Sequence, residues 1–328
     1  MPRPIELEMI NSIPLNPNIK KLSSLAEATQ LVEIGPGVYE IELKPDWTYG
    51  PRSHGGYLIS TVVTAARQEC TKKRPDQSDT SSWTTHFLKP GVPGKAEIRT
   101  TILSSSSAST IVRAELWQNS KRCVEATVQQ IKSQAPSSHV TLPGPEMNEL
   151  PFHNLQRPIT EEMLKAEGWE SRQIGEYNPF FKTKPKARAY LPPESDLHNS
   201  KHVPHPALGP RFRDTWWTLG EPLDAGSLPV IIDSFLPLHL NFPQGVEYFI
   251  LTQSISCQMA KKESSKDNMW VFGRAELKEC DGRRYIEDVT LFDESGQIIA
   301  SARQVNVLVP IKNLIGGRDT RKKHAQKL

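Results

Sequence analysis

Cysteine is scarce in this sequence of 328 residues, and the few cysteines form no recognisable motif. They are spread along the chain without C-x-x-C spacing, as Cys70, Cys123, Cys257 and Cys280. A metal or thiol-redox motif built on cysteine pairs is therefore unsupported. Scattered cysteines are typical of small, reduced, buried side chains in an intracellular protein.

Long apolar runs are missing too. The apolar runs are short, such as Val230–Ile232 and Val307–Val309, whereas a membrane-spanning helix needs about 20 residues. The first residues, Met1–Glu8, carry acids and prolines where a secretory signal has an apolar core. We expect a cytosolic protein without a membrane partner.

An excess of one charge sign is absent as well. The sequence has 40 Lys and Arg against 37 Asp and Glu, for a net charge of +3. This balance argues against a nucleic-acid partner, which needs basic side chains clustered on one face. The basic C-terminus, Arg321–Leu328, differs from a peroxisomal signal at Gln326, where a small residue is usual, so peroxisomes are the alternative location.

Motifs for metal, nucleotide or nucleophilic catalysis are not found. The chain has no G-x-S-x-G, H-E-x-x-H or P-loop motif. We therefore expect no metal and no cofactor, and a chemistry that side chains, backbone amides and water carry out alone.

What the sequence does contain is one pattern of elements, repeated. A strand, an apolar helix and four further strands are predicted within 30–135 and again within 211–310. The two helices are predicted at Tyr57–Cys70 and Ser227–Leu236. A Pro-rich linker (136–210) separates the halves, and an extension (1–29) and a basic tail (311–328) flank them. We expect an α+β fold in which each sheet wraps around one central helix.

The two halves can be aligned on each other. At an offset of 175 residues, Leu116–Ser120 lies on Leu291–Ser295, and Gln129 lies on Gln304. At an offset of 170 residues the helix starts align, with Gly56 on Gly226, His54 on Asp224 and Val63 on Asp233.

Three segments carry a family resemblance. They are Ser53–Leu58 (SHGGYL), His86–Pro90 (HFLKP) and Leu291–Gln304 (LFDESGQIIASARQ). Their order and the internal register resemble the thioesterase-like superfamily of double hot-dog proteins, whose best-known branch is acyl-CoA thioesterase II, and especially its fungal-type relatives. The resemblance implies a double hot-dog fold and a ligand that is an acyl-CoA or an acyl-carrier thioester. Self-association into a homo-oligomer is left open.

The resemblance also implies two site patterns. In the acyl-CoA thioesterase II pattern an Asp, a Thr and a Gln orient a water. Gln304 matches its Gln, whereas Thr252 or Gln253 stands at the position expected for the Asp, and no hydroxyl stands near Glu276–Glu279. A second hot-dog pattern combines His-Gly-Gly at one helix start with an acid in the partner helix. Its parts in this chain are His54, Gly55, Gly56 and Asp233.

These residues suit thioester hydrolysis chemically. An acid in an apolar helix, Asp233, can activate water as a general base, and the amide oxygen of Gln304 can hold that water. Amides at the helix start can stabilise an oxyanion, and Gly55 and Gly56 would let a substrate carbonyl approach them. His54 is assigned as the third catalytic residue. Tyr57 is assigned as a substrate-binding neighbour.

Each of these residues also has a structural interpretation. The glycines can simply permit a tight turn, and His54 can cap the helix. Asp233 can face solvent or cap the following turn, and Gln304 can satisfy a nearby backbone group. Because one half lacks the acid and the other lacks His-Gly-Gly, the catalytic interpretation predicts one site per chain.

Three functions fit these residues. Hydrolysis of an acyl or polyketide thioester is the leading one. A dehydratase or cyclase would use His54 and Asp233 as a pair, although Leu58 and Pro237 depart from the pattern of those enzymes. A non-catalytic acyl-binding protein is the third.

Overall fold

Alternating burial along the chain marks most of the strands. A computed structural model describes residues 23–132, 159–173, 188–192, 209–235, 237–242, 245–260 and 269–311. In β7 (Ser109–Gln118), half-buried and buried residues alternate at every position, as expected for a strand with one face toward a core. Most of the predicted N-terminal extension, much of the predicted linker and nearly all of the basic tail, with Arg321–Leu328, lie outside the described residues.

The remaining strands are bounded as follows. The N-terminal half holds β1 (Val32–Gly35), β2 (Val38–Leu43), β3 (Thr48–Tyr49), β4 (Arg52–Ser53), β5 (Asp79–Phe87), β6 (Gly94–Ser105) and β8 (Lys121–Ile131). The C-terminal half holds β9 (Glu170–Gln173), β10 (Arg188–Leu191), β11 (Phe212–Thr218), β12 (Tyr248–Met259), β13 (Val271–Asp281), β14 (Arg284–Phe292) and β15 (Ile298–Pro310).

The helical elements are fewer. They are Leu25–Ala28, Gly55–Lys73 (the long helix), Glu161–Ala166, Leu228–Ile232 (the short helix) and two 3-10 turns, Leu238–Asn241 and Gly245–Glu247. Among the described residues, no helix is long and apolar enough to cross a bilayer.

One continuous antiparallel sheet joins the two halves. Its order in the described residues is β1-β2-β6-β7-β8-β5-β12-β15-β14-β13-β11-β10-β9. The strand order β2-β6-β7-β8-β5 of the N-terminal half is repeated in reverse in the C-terminal half as β12-β15-β14-β13-β11. Strands β5 and β12 pair where the two halves meet. The predicted α+β double hot-dog architecture is thus confirmed. The segment predicted as a linker adds β10 and β9 beyond β11.

The long helix packs against the inner face of β5–β8 and against the short helix. Because protein surrounds it on both sides, it is apolar almost throughout, and buried residues extend from Gly56 to Cys70. The predicted helix at Tyr57–Cys70 is therefore confirmed and is slightly longer than expected.

The second helix is much shorter than predicted. It ends at Ile232, whereas the sequence predicted a helix up to residue 236. The hydroxyl of Ser234 donates to the carbonyl oxygen of Val230, and the N–H of Ser234 bonds the Ile231 carbonyl oxygen in a tighter turn. The i−3 backbone bond marks the end of the regular helix. Pro237 then removes a backbone donor.

The structure also corrects the predicted alignment of the last strands. Val112 of β7 pairs with Val128 of β8. The residue equivalent to Val112 is Glu287 of β14, and it pairs with Gln304 of β15. Gln304 therefore corresponds to Val128 and not to Gln129. The loop between β14 and β15 is longer than that between β7 and β8, which moves β15 by one residue.

Candidate active site

Two backbone hydrogen bonds fix the start of the long helix within the N-terminal half. The N–H of Ser53 donates to the Gly91 carbonyl oxygen at 2.9 Å, and the N–H of His54 donates to the Trp47 carbonyl oxygen at 2.9 Å. His54 is the N-cap, and its Nδ1 accepts from the N–H of Tyr57 at 3.4 Å. In a neutral ring that accepts at Nδ1, the proton is on Nε2.

Asp233 reaches this helix start from the other half. It caps the C-terminal end of the short helix, and its Oδ2 accepts from the N–H of Gly56 at 2.7 Å. His54 Nε2 lies 3.4 Å from the same oxygen. Three of the predicted site residues are thus in contact, although Gly56 and Asp233 are 177 positions apart in sequence.

The environment of Asp233 favours its neutral form. Burial raises the pKa of this carboxyl from 3.8 to about 7, the Gly56 hydrogen bond lowers it, and the charge of Glu287 raises it. The side chain is 11% exposed and that of His54 only 3%. An acid with a pKa near neutrality and limited access to solvent has the properties of a general base.

The two glycines lack side chains for a reason that the sequence did not reveal. A Cβ at Gly56 would lie 2.7 Å from Val230 Cα and would overlap the Pro229 carbonyl oxygen. At Gly55 it would lie 2.7 Å from Asp233 Oδ2 and 3.1 Å from Phe87 Cζ. Gly56 therefore permits the contact between the two helices, while Gly55 leaves room for the Asp233 carboxylate.

Gln304 belongs to the same constellation through the backbone. Its Nε2 donates to the carbonyl oxygen of Ile232 at 2.6 Å, and its side chain is buried. Ile232 directly precedes Asp233, so Gln304 fixes the peptide that carries the acid. In this structure the acid that accompanies Gln304 is thus Asp233, and not a residue at the start of β12.

Two family models match this chain. The acyl-CoA thioesterase N-terminal domain matches residues 43–131, and the acyl-CoA thioesterase C-terminal domain matches residues 178–308, which together amount to well over half of the sequence. The chain belongs to the acyl-CoA thioesterase family. Membership identifies it as a thioesterase, a hydrolase of thioester bonds.

Solved structures share the fold of this acyl-CoA thioesterase family member. A protein described as a thioesterase II from Thermobifida fusca YX is 18% identical, with a TM-score of 0.67 over 88% of this chain and 98% of that one. The acyl-CoA thioesterase II TesB2 from Mycobacterium marinum is 14% identical, with a TM-score of 0.58 over 88% and 98%. A hot-dog protein of unknown function from Alicyclobacillus acidocaldarius is also 14% identical, with a TM-score of 0.65 over 88% and 99%. No curated protein sequence matches this thioesterase.

Tyr57 is not brought to the site of the thioesterase. Its side chain is fully buried, and its hydroxyl donates to the Ala28 carbonyl oxygen at 2.8 Å and accepts from the N–H of Lys44 at 3.3 Å. Its ring lies 5.4 Å from that of Trp47, centroid to centroid. The position favours a structural role over the predicted contact with substrate.

Sequence reasoning missed a buried polar cluster in the C-terminal half of the thioesterase, formed by Arg213, His239, Tyr285 and Glu287. Tyr285 donates its hydroxyl proton to Glu287. Glu287 is 3% exposed and is the register partner of Gln304. The signal was available, because Tyr285, Glu287 and Val289 alternate on the inner face of β14.

A metal site was not predicted, and the described residues offer little to hold one. Within them, no three His, Cys, Asp or Glu side chains come together as a metal site would require. The groups that the site does bring together are an acid, an imidazole, a side-chain amide and backbone N–H groups.

We expect Gln304→Ala to lower kcat roughly 10- to 100-fold, because the Ile232 peptide would lose its anchor and Asp233 its position. The measurement is steady-state hydrolysis of an acyl-CoA by the purified variant. Gln129→Ala is the matched control. This glutamine lies on the outer face of β8, where its Oε1 accepts from Ser82 Oγ at 3.4 Å. Equal losses in both variants would show that Gln304 is only structural.

Proposed function

We propose that this chain hydrolyses an acyl thioester, an acyl-CoA or a carrier-bound acyl or polyketide group, at a single site formed by His54, the first turn of the long helix, and Asp233. The observation that carries the proposal is the contact of Asp233 Oδ2 with both Gly56 N–H and His54 Nε2. The resemblance of the segment Ser53–Leu58 further supports the fungal-type branch of the family.

The proposed reaction needs only water and the groups at this site. Ionised Asp233 accepts a proton from water as the water oxygen bonds to the thioester carbonyl carbon. The carbonyl π electrons move to oxygen, and the resulting oxyanion lies at the helix start. Collapse of the intermediate restores the C=O bond and breaks the C–S bond. The departing thiolate takes the proton from Asp233, which leaves a free thiol, a carboxylic acid and the ionised base.

Backbone donors at the helix start would stabilise the oxyanion. Gly56 N–H already bonds Asp233, and Tyr57 N–H bonds His54. The N–H of Gly55, the first residue of the helix, has no acceptor within the helix, and this residue is partly exposed. We therefore assign Gly55 N–H as the oxyanion donor, assisted by the dipole of the long helix.

His54 has a supporting role in this proposal. With Nδ1 bound to the helix N–H, its Nε2 proton points at Asp233 and orients the carboxylate. The imidazole thus acts as a neutral donor, and the second carboxylate oxygen stays available for water.

The proposal includes one site per chain. The equivalent pairing in the other half combines Gly226 with Val63, which cannot act as a base. There the side chain of Asp224 accepts from Ser227 N–H at 3.0 Å and lies 3.4 Å from Arg67 Nη1. Asp224 stands where the first half has His54, so this helix start lacks the His-Gly-Gly pattern as well.

Dehydration of a hydroxyacyl thioester is the second candidate. The His54–Asp233 distance of 3.4 Å favours it, because dehydration uses a base and an acid on neighbouring carbon atoms. Its base would be His54, however, and the only lone pair of the neutral ring is on Nδ1, which already accepts from Tyr57 N–H. Hydrolysis therefore fits the geometry better.

The experiment that tests the function incubates the protein with a panel of acyl-CoAs and measures free thiol. The panel contains straight-chain, 3-hydroxyacyl and aromatic thioesters, and absorbance of the enoyl thioester is recorded in parallel. We expect free thiol to accumulate with at least one member. Enoyl product without thiol would replace hydrolysis by dehydration, and saturable binding without either product would indicate a non-catalytic acyl-binding protein.

A further inference from the structure

At one pair of equivalent positions, the inner sheet face carries polar side chains in the C-terminal half and apolar side chains in the N-terminal half. Glu287 and Gln304 form a cross-strand pair at the place that Val112 and Val128 occupy in the other half. Cross-strand partners on one face have Cβ atoms about 4.5–5.5 Å apart. Since Gln304 holds the peptide before Asp233, Glu287 belongs to the layer directly behind the proposed base.

The contacts of Glu287 connect it to the chain segment that follows Asp233. Tyr285, whose hydroxyl bonds Glu287, also accepts from the N–H of Leu238 at 2.9 Å. Arg213 Nη2 donates to Asn241 Oδ1 at 2.5 Å. Together with the Gln304 bond, these contacts hold the chain on both sides of Asp233.

The charged groups around the two acids are few. The pKa of Glu287 is affected by Tyr285, by Arg213 and by Asp288 on the outer face of β14. The pKa of Asp233 is affected by the N–H of Gly56 and by the charge of Glu287, and His54 Nε2 lies 3.4 Å from Asp233 Oδ2. His239 lies against Tyr285, with ring centroids 5.6 Å apart, and burial lowers its pKa to about 4, so it is neutral. The pKa of Glu287 is raised to about 7, because the effect of burial is larger than those of Tyr285 and Arg213, which both lower it. These two partners favour the charged form of Glu287.

We propose that Glu287 is a positioning residue for Asp233, which anchors the segment beyond the base through Tyr285 and whose negative charge opposes the ionisation of the base. The inference rests on the proposed role of Asp233. It explains why an acid stands on an inner sheet face where the other half has valine.

The test is the pH profile of Glu287→Gln. Glutamine keeps an acceptor for Tyr285 but removes the charge, so ionised Asp233 becomes more favourable. We expect the acidic limb of kcat/KM, near pH 7 in the wild type, to move to lower pH by roughly half a unit or more. The matched control is Asp288→Asn, because Asp288 is the next residue, faces outward and binds Arg303 at 2.7 Å. Its limb is not expected to move to lower pH, because loss of the Asp288 charge makes Glu287 easier to ionise.

A second readout needs no substrate. The carboxyl carbon of Asp233 is titrated by carbon-13 NMR in aspartate-labelled wild type and Glu287→Gln, with Asp233→Asn providing the assignment. A lowered midpoint supports the inference even if no thioester is hydrolysed, which would contradict only the proposed function. An unchanged midpoint overturns the inference even if hydrolysis depends on Asp233. If Glu287→Gln does not fold, Tyr285→Phe replaces it, because loss of the hydroxyl makes Glu287 harder to ionise and is expected to shift Asp233 in the same direction.

Discussion

Asp233→Asn is expected to lower kcat by about 10²–10⁴-fold, the usual effect of removing a general base. Asparagine retains an oxygen that can accept from Gly56 N–H, so the contact between the halves is preserved while proton transfer is lost. The measurement is thiol release under steady-state conditions at pH 8, where the wild-type carboxyl is ionised.

Stability provides the internal check on this variant. The pKa of Asp233 is raised in the folded protein. As the pH rises from 3.8 to about 7, the acid ionises in the unfolded chain before it does in the folded one, so the free energy of unfolding decreases. A neutral asparagine avoids that loss, and we expect the Tm of Asp233→Asn at pH 8 to equal or exceed that of the wild type. A lowered Tm together with lost activity would indicate a structural role.

A matched substitution and a count of sites complete the experiment. Asp224→Asn alters the exposed acid at the equivalent helix start and is expected to leave kcat unchanged. The inactive Asp233→Asn protein can be titrated calorimetrically with an intact acyl-CoA, and we expect one molecule per chain. Two equal sites would contradict the single composite site.

Gly56→Ala is expected to destabilise the protein by about 1–3 kcal/mol, the range for overpacked cores. The new methyl group would collide with backbone atoms of Pro229 and Val230, which cannot avoid it by changing rotamer. The measurement is the free energy of unfolding in urea. Because these atoms also set the position of Asp233, a loss of activity should accompany the loss of stability.

Gly226→Ala is the control for this effect. A Cβ there would lie 3.2 Å from Asp224 Oδ1, the end of an exposed side chain that can move. We expect a change below about 0.5 kcal/mol, as for most surface substitutions. If Gly56→Ala proved as stable as Gly226→Ala, the close contact between the long and the short helix would be wrong.

Much of the fold could be predicted because burial follows chemistry along each strand. The alternation in β7 and the apolar run of the long helix both result from one core, which every element must face. The end of the short helix could not be predicted in this way. It lies where backbone hydrogen bonding changes from the i−4 to the i−3 pattern at Ser234, and hydrophobic periodicity carries no information about that change.

The candidate site was predictable as a set of residues but not as a geometry. The family resemblance pointed to His54, Gly56 and Asp233, and the β5–β12 pairing brings their halves together. The equivalence of Gln304 with Val128 required the observed strand register, since a shift of one residue reverses the faces of a strand. Glu287 was missed although the alternation along β14 places it on the inner face.

The covalent fusion of the two halves has a consequence for how the protein can vary. In a dimer of identical chains every substitution appears twice, so a polar residue introduced behind one base must also be tolerated behind its symmetric copy. Here the pair Glu287 and Gln304 is the counterpart of the pair Val112 and Val128 in the same sheet, and each pair can change independently. One half is thus free to specialise in holding a base, and the other in packing a full-length helix.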